Sequence, residues 1–301
     1  MRGMYMQYII GVDSGGTSTK AAAYNLNGEL LVESKTGFGN LLNDPDEALA
    51  NIRQSIVMIL GKLGNDQCIH MVLGIAGVDS GGFRETLEEN LSHFGTEVTI
   101  LNDAWMAYYG LLNGEDGVLV ISGTGSIVIG KLDKREDRVG GYGNLLGDEG
   151  SGYDIARKMI KSTLNAFDEG REFSDLEEKV LSFGSFETVF ELVKFVYSKT
   201  KDKISELSML AVHEAEKGNE EALQLFNEAG EDLANQVLLL IDKLGIKERP
   251  KVAVTGSVLL KNDWVFDAFS EKIKAIYPNC KIIRKDQSNT VGAYYYHKNN
   301  L

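Results

Sequence analysis

Three apolar, strand-like runs in this chain each end in a turn that contains glycine, and this repetition limits the fold more than any other feature. The runs and their turns are Tyr8–Asp13 with Ser14-Gly-Gly-Thr-Ser18, Val118–Ser122 with Gly123-Thr-Gly-Ser126, and Lys251–Thr255 with Gly256-Ser257. Glycine permits positive φ and close approach to a ligand, so successive backbone N–H groups can converge on an anion. One such turn would also suit a plain hairpin, but three of them predict phosphate-binding loops.

The first turn carries the side chains that phosphate chemistry needs. Gly15 and Gly16 give the backbone its freedom, while Thr17 and Ser18 add hydroxyl donors. Asp13 supplies a carboxylate that could hold Mg²⁺ through water. This stretch therefore predicts a site for a phosphate group together with its metal ion.

The two halves of the chain share one plan of strand, glycine loop, strand, hairpin and strand. In the first half, Thr19–Leu26 is followed by the turn Asn27-Gly28, where both residues readily take positive φ. In the second half, Ile127–Leu132 is followed by a turn at Asp133–Glu136. Since antiparallel hairpins precede strand–helix crossover units, we expect an α/β protein of two related lobes around a phosphate-binding cleft, with mixed sheets flanked by helices.

The boundary between the lobes is best placed in the polar, glycine-containing stretch Asn113–Gly117. The first lobe then comprises residues 1–113 and the second lobe residues 114–301. The final helix, residues 289–301, is a candidate to pack back on the first lobe. Apolar spacing of three and four predicts a helical insert over residues of about 150–245 in the second lobe.

Local signals place helices and strands around these loops. Asp44-Pro45 predicts a helix that begins with Asp44 as its N-cap and runs to about Leu63. Further helices are predicted at Phe83–Phe94, Ala104–Leu112, Gly147 to about Ala166, Phe186–Ser198, Ile204–Glu216 and Glu220–Leu244, after Asp263 and from Asn289, with strands at Ile69–Ile75, Val98–Leu101 and Lys281–Ile283. The acidic run Asp175–Lys179 is interpreted as a solvated helix start.

Composition excludes several classes of protein. The formal net charge of −13 argues against a nucleic-acid or anionic-membrane surface, so a bound nucleotide needs local neutralisation by Mg²⁺ and N–H groups. No run of about 18 apolar residues could span a membrane, and Met1–Met6 lacks a secretory segment. Cys68 and Cys280 are too few for a disulfide framework or a Cys₄ site. We therefore expect a cytoplasmic protein.

Other nucleotide-binding and metal-binding motifs are missing from the sequence. It has no G-x-x-x-x-G-K-[ST] P-loop, no G-x-G-x-x-G after a strand, and no protein-kinase pair of H-R-D and D-F-G. The histidines are His70, His93, His213 and His297. They lie in different predicted elements without ligand spacing, which favours surface or core positions over a metal site.

Residues 9–20, 118–126 and 252–257 resemble the first phosphate loop, second phosphate loop and adenosine loop of the actin/hsp70/sugar-kinase superfamily. Within it, Ser122-Gly-Thr-Gly-Ser126 and Gly141-Tyr-Gly-Asn-Leu-Leu-Gly-Asp-Glu-Gly150 are similar to the N-acetylglucosamine kinase branch, which shares the BadF/BadG/BcrA/BcrD ATPase domain. The resemblance covers essentially the whole chain. It implies a duplicated ribonuclease H-like (actin-like ATPase) fold whose two lobes clasp ATP and Mg²⁺ between them.

The resemblance also implies where the nucleotide binds. Thr17 and Thr124 would hold the γ- and β-phosphates, each within its glycine loop. The second of these loops comprises Gly123, Thr124 and Gly125. Gly256 and Ser257 would lie under the adenosine.

On the sugar side, the resemblance implies Asp103 as the catalytic base, which accepts the proton of the 6-hydroxyl. Asp103 follows the strand Val98–Leu101, at the edge where loops face the cleft in such sheets. The alternative is a helix N-cap, a role that Asn102 could serve equally well. Asp148 matches an aspartate that holds sugar hydroxyls, although the dipole alone also favours an acidic residue at a helix start.

Other positions complete the sugar site by resemblance. Asn40 matches a sugar ligand, since an amide can both donate to and accept from a hydroxyl, and a plain turn asparagine is the alternative. The remaining substrate-binding positions are Ser126, Gly141, Tyr142 and Gly143. Many relatives have tryptophan at the position of Tyr142, and some have a polar sugar contact where this chain has Ile127.

Three functional interpretations follow. The first is a kinase that transfers the γ-phosphate of ATP to the 6-hydroxyl of N-acetylglucosamine, N-acetylmuramate or glucosamine. The second is an ATPase that activates a dehydratase or reductase, but such proteins hold an iron–sulfur cluster with cysteines in regions where neither Cys68 nor Cys280 lies. The third is a sugar sensor, disfavoured by the lack of a helix-turn-helix extension and by Asp103. We favour the kinase, and relatives of this kind are often homodimers.

Overall fold

The structure is a computed structural model that describes residues 6–79 and 82–300. The residues before Met6, on which the expectation about a secretory segment rests, lie outside the described part. The chain divides into two compact units. The first contains the residues up to Glu115 together with those from Gln287, and the second is Asp116–Asp286. The residues from Gln287 onwards, which include the final helix, thus belong to the first unit.

Strands and helices alternate along most of the described chain. The strands are Tyr8–Ser14 (β1), Thr19–Asn25 (β2), Leu30–Thr36 (β3), Cys68–Ile75 (β4), Glu97–Asn102 (β5), Gly117–Ser122 (β6), Ser126–Leu132 (β7), Arg135–Gly140 (β8), Lys251–Thr255 (β9) and Lys281–Arg284 (β10). The α-helices are Pro45–Leu63 (α1), Arg84–Ser92 (α2), Asp103–Leu112 (α3), Gly152–Glu169 (α4), Asp175–Phe183 (α5), Val189–Ser198 (α6), Lys201–Ser205 (α7), Ser208–Glu216 (α8), Glu220–Leu244 (α9), Ser257–Lys261 (α10), Asp263–Ile276 (α11) and Gly292–Asn300 (α12). Short 3-10 helices lie at Asn65–Gln67 and Asn289–Val291.

Each unit contains a five-stranded sheet, and the two sheets have the same topology. The strand orders are β3-β2-β1-β4-β5 and β10-β9-β6-β7-β8, which are equivalent when the second is reversed. In both sheets the three hairpin strands pair antiparallel and the remaining strands pair parallel. The predicted duplication and the predicted mixed sheets are both confirmed.

The parallel pairing places the functional loops at one edge of each sheet. Because β1, β4 and β5 run in the same direction, their carboxyl ends lie together at one edge of the sheet. Asp13, near the end of β1, and Asp103, directly after β5, both lie at this edge. In the second unit β6 is parallel to β9, so the loops that begin at Gly123 and Gly256 also share an edge. Ligands of open α/β sheets bind at such edges.

The core of the first unit lies on both faces of its sheet. On one face α1 buries Ile52, Ile56 and Ile59 against the strands. On the other face, Met106 of α3 and Ala293 of α12 pack with strand residues. Burying each of the large aliphatic side chains stabilises the fold by about 2 kcal/mol, which is why β1 is apolar on both faces.

Two predicted helix boundaries are wrong, both because turns interrupt the pattern. The helix predicted from Gly147 begins at Gly152 instead, with Ser151 as its N-cap. The turn before it contains Asp148 at φ 64° and Gly150 at φ 74°, which are left-handed values that no helix continues. The single helix predicted over Ile204–Glu216 is divided into α7 and α8. By contrast, the N-cap at Asp44 and the bounds of α9 are confirmed.

The acidic start of α5 is only partly solvated. Ser174 and Glu177 form a capping box, as expected of a helix start. Glu177, however, is buried, and it accepts hydrogen bonds from Arg171 and Ser162 at 2.6 Å each. Burial alone would raise the pKa of Glu177, but Arg171, Ser162 and the Ser174 N–H outweigh it and lower the pKa to about 2. The prediction of a solvated run is therefore wrong at this position.

No helix among the described residues is long and apolar enough to cross a lipid bilayer.

We expect Glu177→Gln to lose about 2 kcal/mol of stability at pH 7, since it breaks a buried ion pair whose arginine is 42% exposed and thus partly screened. The folded pKa of about 2 lies below the ordinary value of 4.5, so the stabilisation is present above pH 4.5 and is lost as the pH falls towards 2. Thermal unfolding midpoints of both proteins from pH 7 to pH 3 should therefore converge. The exposed Glu178, changed to Gln, is the control, and a difference that stays constant with pH would contradict the assignment.

Candidate active site

Two carboxylates lie at the carboxyl edge of the first sheet. Asp13 is the residue before the last one of β1, and Asp103 is the first residue of α3, directly after β5. The pKa of Asp13 is raised to about 6, chiefly by burial and then by the charge of Asp103, while the Asn289 amide and Lys20 oppose the shift. Two acidic groups this close to each other favour a bound cation or a proton.

Asp103 is not the N-cap of α3. That position is held by Asn102, whose Oδ1 accepts a hydrogen bond from the Ala104 N–H at 3.0 Å. Burial raises the pKa of Asp103, the Ala104 N–H opposes the shift, and Asp79 adds to it. Asp103 Oδ1 also accepts from the Ala104 N–H at 3.0 Å, but because Asn102 serves as the cap, the helix does not depend on the Asp103 carboxylate.

The first glycine loop is held in shape by its own hydrogen bonds. The Gly15 N–H donates to Ser18 O at 3.1 Å, and the Gly39 N–H donates to Gly15 O at 2.9 Å. Gly16 and Thr17 are exposed, and an added Cβ at Gly16 would meet nothing within 4 Å. The hydrogen bonds of Gly15 thus fix the loop, while Gly16 and Thr17 at its tip are accessible. This arrangement suits the binding of an anion by backbone N–H groups.

Asn40 makes the hydrogen bond expected of a turn asparagine, which was the alternative interpretation to a sugar ligand. Its Oδ1 accepts a hydrogen bond from the Leu42 N–H at 3.0 Å. The same oxygen would lie 2.9 Å from a Cβ added at Gly77, the residue that follows β4 by two positions. Asn40 therefore lies at the carboxyl edge of the sheet. Its amide NH₂ group is the part of the side chain that a hydroxyl could use, and the sugar contact stays a prediction.

The second glycine loop is joined to the start of α4. The Gly152 N–H donates to Gly123 O at 2.8 Å, and the Tyr153 N–H donates to Thr124 O at 3.2 Å. Within the loop, the Gly123 N–H donates to Gly125 O at 2.9 Å. The loop is thereby fixed by the first two residues of α4, Gly152 and Tyr153.

Asp148 is a buried carboxylate in a strained backbone. It is only 4% exposed and adopts φ 64°, a left-handed conformation that aspartate tolerates better than most residues. A Cβ added at Gly125 would lie 2.7 Å from its Oδ2, so the second loop packs directly against the carboxylate. Burial raises the pKa of Asp148, and the N–H groups of Ser126 and Gly143 oppose the shift. Such strain is retained at functional positions.

Serine hydroxyls fix the segment that carries Asp148. Ser126 Oγ donates to Glu149 O at 2.8 Å, and Ser122 Oγ donates to Gly150 O at 2.9 Å. Ser126 was predicted to contact substrate. In the structure its hydroxyl supports the Asp148 turn, and a direct contact with the sugar stays a prediction.

The third loop packs on the second. A Cβ added at Gly256 would lie 2.2 Å from Ser122 O, and Gly256 has φ 91°. A Cβ added at Gly123 would lie 3.8 Å from Ser257 Oγ, which brings the predicted adenosine and phosphate residues of this unit together.

The segment Gly141–Gly143 presents an exposed tyrosine. Tyr142 is 60% exposed, and the Arg138 guanidinium lies over its ring at 5.2 Å from the centroid. Behind it, a Cβ added at Gly141 would lie 2.6 Å from side-chain atoms of Ile127. In the segment predicted to line the sugar site, the Tyr142 ring thus makes a cation–π contact with Arg138, and the backbone at Gly141 packs against Ile127.

Sequence reasoning missed three residues near the carboxylates. Asn289 Nδ2 donates to Asp13 Oδ2 at 3.2 Å. Gly39 is required because an added Cβ would lie 1.8 Å from Ser14 Oγ. Asp79 acts on Asp103 through its charge. Only Asp79 could have been found from the sequence, because it comes shortly after the predicted strand Ile69–Ile75, whose carboxyl end lies at the same edge of the sheet as Asp13 and Asp103.

Metal-binding side chains do not cluster elsewhere. Within residues 6–79 and 82–300, no group of three or more His, Cys, Asp or Glu residues could hold a metal ion. His70 and His297 do meet, with 3.0 Å between their Nδ1 atoms, and they join β4 to α12. Cys68 and Cys280 are both buried. A metal at Asp13 would therefore depend on water and phosphate oxygens for its other ligands, as Mg²⁺ commonly does.

Comparison with known proteins gives a consistent family. The model of the BadF/BadG/BcrA/BcrD ATPase family matches residues 10–294. An N-acetylmuramic acid/N-acetylglucosamine kinase of Clostridium acetobutylicum is 31% identical over 96% of this chain and 97% of its own. An N-acetyl-D-glucosamine kinase of Dictyostelium discoideum is 29% identical, also over 96% of this chain and 97% of its own.

Solved structures share the fold. A provisionally named N-acetylglucosamine kinase of Chromobacterium violaceum aligns with a TM-score of 0.75 at 22% identity, covering 96% of this chain and 98% of its own. A ROK family glucokinase of Streptomyces griseus, in complex with glucose and AMPPNP, aligns with a TM-score of 0.59 at 16% identity, covering 96% and 97%. These likenesses confirm the predicted actin-like ATPase fold of two lobes.

We expect Gly256→Ala to lower the thermal unfolding midpoint much more than Gly218→Ala. Both glycines have similar positive φ, 91° and 84°, which an alanine adopts only with backbone strain. Only Gly256 would also place its Cβ against backbone, whereas a Cβ at Gly218 meets nothing within 4 Å. Thermal melts of the two variants and the unmodified protein make the comparison, and equal shifts would contradict the close contact with Ser122.

Proposed function

Because the chain belongs to the BadF/BadG/BcrA/BcrD ATPase family, we propose that it is an ATP-dependent amino-sugar kinase. It transfers the γ-phosphate to the 6-hydroxyl of N-acetylglucosamine or a close relative, with N-acetylmuramate and glucosamine as the other acceptors to test. The observation that carries this proposal is the match over 96% of the chain to a kinase for N-acetylmuramic acid and N-acetylglucosamine.

Asp103 is the residue that we propose as the general base. Phosphoryl transfer needs the acceptor hydroxyl aligned with the γ-phosphate and a proton acceptor close to it. The carboxylate lies at the carboxyl edge of the sheet, is not consumed as a helix cap, and has a pKa raised by burial. A raised pKa strengthens a carboxylate as a base, provided that the group is still ionised at the working pH.

Asp148 is the residue that we propose to hold the sugar. A carboxylate can accept hydrogen bonds from two neighbouring hydroxyls, which fixes the orientation of a pyranose ring. The left-handed turn and the packing against Gly125 hold this carboxylate in one position. Asn40, Ser126 and the wall of Gly141, Tyr142 and Gly143 are proposed to complete the site.

The nucleotide is proposed to bind at the three glycine loops. In the first unit these are Gly15, Gly16, Thr17 and Ser18, and in the second they are Gly123, Thr124, Gly125, Gly256 and Ser257. The open space at Gly16 and the exposed Thr17 support a phosphate contact there. Mg²⁺ fits the donor set at Asp13, a carboxylate whose acidic neighbour favours a cation, and when bound it would neutralise phosphate charge.

The assembly that we propose is a homodimer, by resemblance to relatives that are often dimers. Neither an iron–sulfur cluster nor nucleic acid has a part in the proposed reaction, since both cysteines are buried and the net charge is −13.

The proposed function is tested by ADP release from ATP and Mg²⁺ with a panel of sugars. The panel contains N-acetylglucosamine, N-acetylmuramate, glucosamine, N-acetylmannosamine and glucose. We expect strong stimulation by at least one of the first three sugars, because these are the acceptors named for the similar kinases. ATP hydrolysis that no sugar stimulates would contradict the proposed kinase activity and would favour an activator ATPase or a sugar sensor.

We expect Asp103→Asn to lower kcat by about 10²–10⁴-fold, the usual contribution of a general base. The amide keeps the shape of the side chain but cannot take the proton, and Asn102 still caps α3. Nucleotide affinity and thermal stability should change little. Steady-state kinetics and nucleotide titrations measure both effects.

Asp79→Asn is the matched control for that variant. Asp79 is an exposed acidic residue of the same edge and pairs with Arg84 at 3.2 Å. It should keep a rate within a few-fold of the unmodified protein. A near-normal rate for the Asp103 variant, or an equal loss in the Asp79 variant, would remove Asp103 as the base.

A further inference from the structure

Asn289 contacts the proposed metal-site carboxylate from the far end of the chain. Its Nδ2 donates to Asp13 Oδ2 at 3.2 Å, and the two residues are 276 positions apart. Both belong to the first unit. We propose that Asn289 is a positioning residue, which orients the Asp13 carboxylate towards the water shell of the nucleotide-bound Mg²⁺.

The segment that carries Asn289 is anchored on both sides by hydrogen bonds. Before it, Gln287 Nε2 donates to Gly110 O of α3 at 2.6 Å. After it, the hydroxyl of the buried Thr290 lies 2.8 Å from the Tyr24 hydroxyl of β2. Asn289 is therefore held between α3 and the sheet.

Close backbone packing leaves this segment little room to move. A Cβ added at Gly11 would lie 2.1 Å from Thr290 O, so the segment rests directly on β1 two residues before Asp13. A Cβ added at Gly292 would lie 2.1 Å from Met106 O of α3. Contacts this tight exclude a side chain at either glycine. The backbone that carries Asn289 is therefore fixed relative to β1 and α3 by this packing, in addition to the side-chain hydrogen bonds of Gln287 and Thr290.

A neutral donor suits this position chemically. A hydrogen bond to one carboxylate oxygen fixes the plane of the group and hence the direction of the other oxygen. An amide does this without adding positive charge, whereas a lysine in its place would repel the metal ion. Outer partners of metal-site ligands act in this way, and their loss typically weakens metal affinity by about 10–100-fold.

The inference depends on the proposed function in one respect only, namely that Asp13 serves a Mg²⁺-bound nucleotide. It makes no use of the sugar. A protein that binds nucleotide in a Mg²⁺-dependent way but phosphorylates none of the sugars would contradict the proposed acceptor, and the test below would still decide the role of Asn289.

The test is binding of a fluorescent ATP analogue, titrated with Mg²⁺ in the absence of sugar. For Asn289→Ala we expect the Mg²⁺ concentration that gives half-maximal binding to rise about 10-fold. Binding of the analogue in EDTA should be unchanged. The matched control is Gln287→Ala, which removes a hydrogen bond of the same segment without contact to Asp13. It should lower the thermal unfolding midpoint but shift the Mg²⁺ titration much less than Asn289→Ala does.

Two further variants separate positioning from other roles. In an Asp13→Asn background, adding Asn289→Ala should have no further effect on the titration, because the partner is already lost. The inference is overturned if Gln287→Ala shifts the Mg²⁺ titration as much as Asn289→Ala does, or if Asn289→Ala weakens Mg²⁺-dependent binding as much in the Asp13→Asn background as in the unmodified protein.

Discussion

The burial of Asp13 beside Asp103 is the electrostatic interaction on which the first unit's site depends. Parallel pairing of β1, β4 and β5 brings the two carboxylates to one edge, and the pKa of Asp13 rises to about 6 as a result of burial and of Asp103. Their hydrogen-bond donors, the Asn289 amide and the Ala104 N–H, are neutral, and the charge of Lys20 offsets only part of the shift at Asp13. In a chain of net charge −13, this edge of the sheet is therefore a place where a cation would be favoured.

The second unit is organised by backbone packing rather than by paired charges. Gly125 must lack a side chain because Asp148 Oδ2 occupies the space, and Gly256 because Ser122 O does. The glycines of these loops are thus explained by contacts inside the protein as well as by room for a ligand. The left-handed backbone of Asp148 is strained, and the serine hydroxyls together with the start of α4 hold this turn in place.

The sequence predicts those features of the fold that depend on neighbouring residues in the chain. Apolar runs with glycine turns predicted both sheets and their hairpins, and Asp44-Pro45 predicted the start of α1. The motif residues could be assigned to loops, but their mutual contacts within each unit could not. The late start of α4, the burial of Glu177 and the bond from Asn289 to Asp13 all depend on partners distant in the chain. Periodicity and propensity carry no information about such contacts, because packing decides them after the local elements have formed.

The measurement that tests the central claim most directly is the identity of the phosphorylated product. Proton-coupled ³¹P NMR on a completed reaction with ATP, Mg²⁺ and N-acetylglucosamine reports which sugar carbon bears the phosphate. The account predicts one new phosphomonoester signal, coupled to the two protons on carbon 6 and absent when the sugar is left out. A signal coupled to the proton on carbon 1, or inorganic phosphate alone, would contradict it.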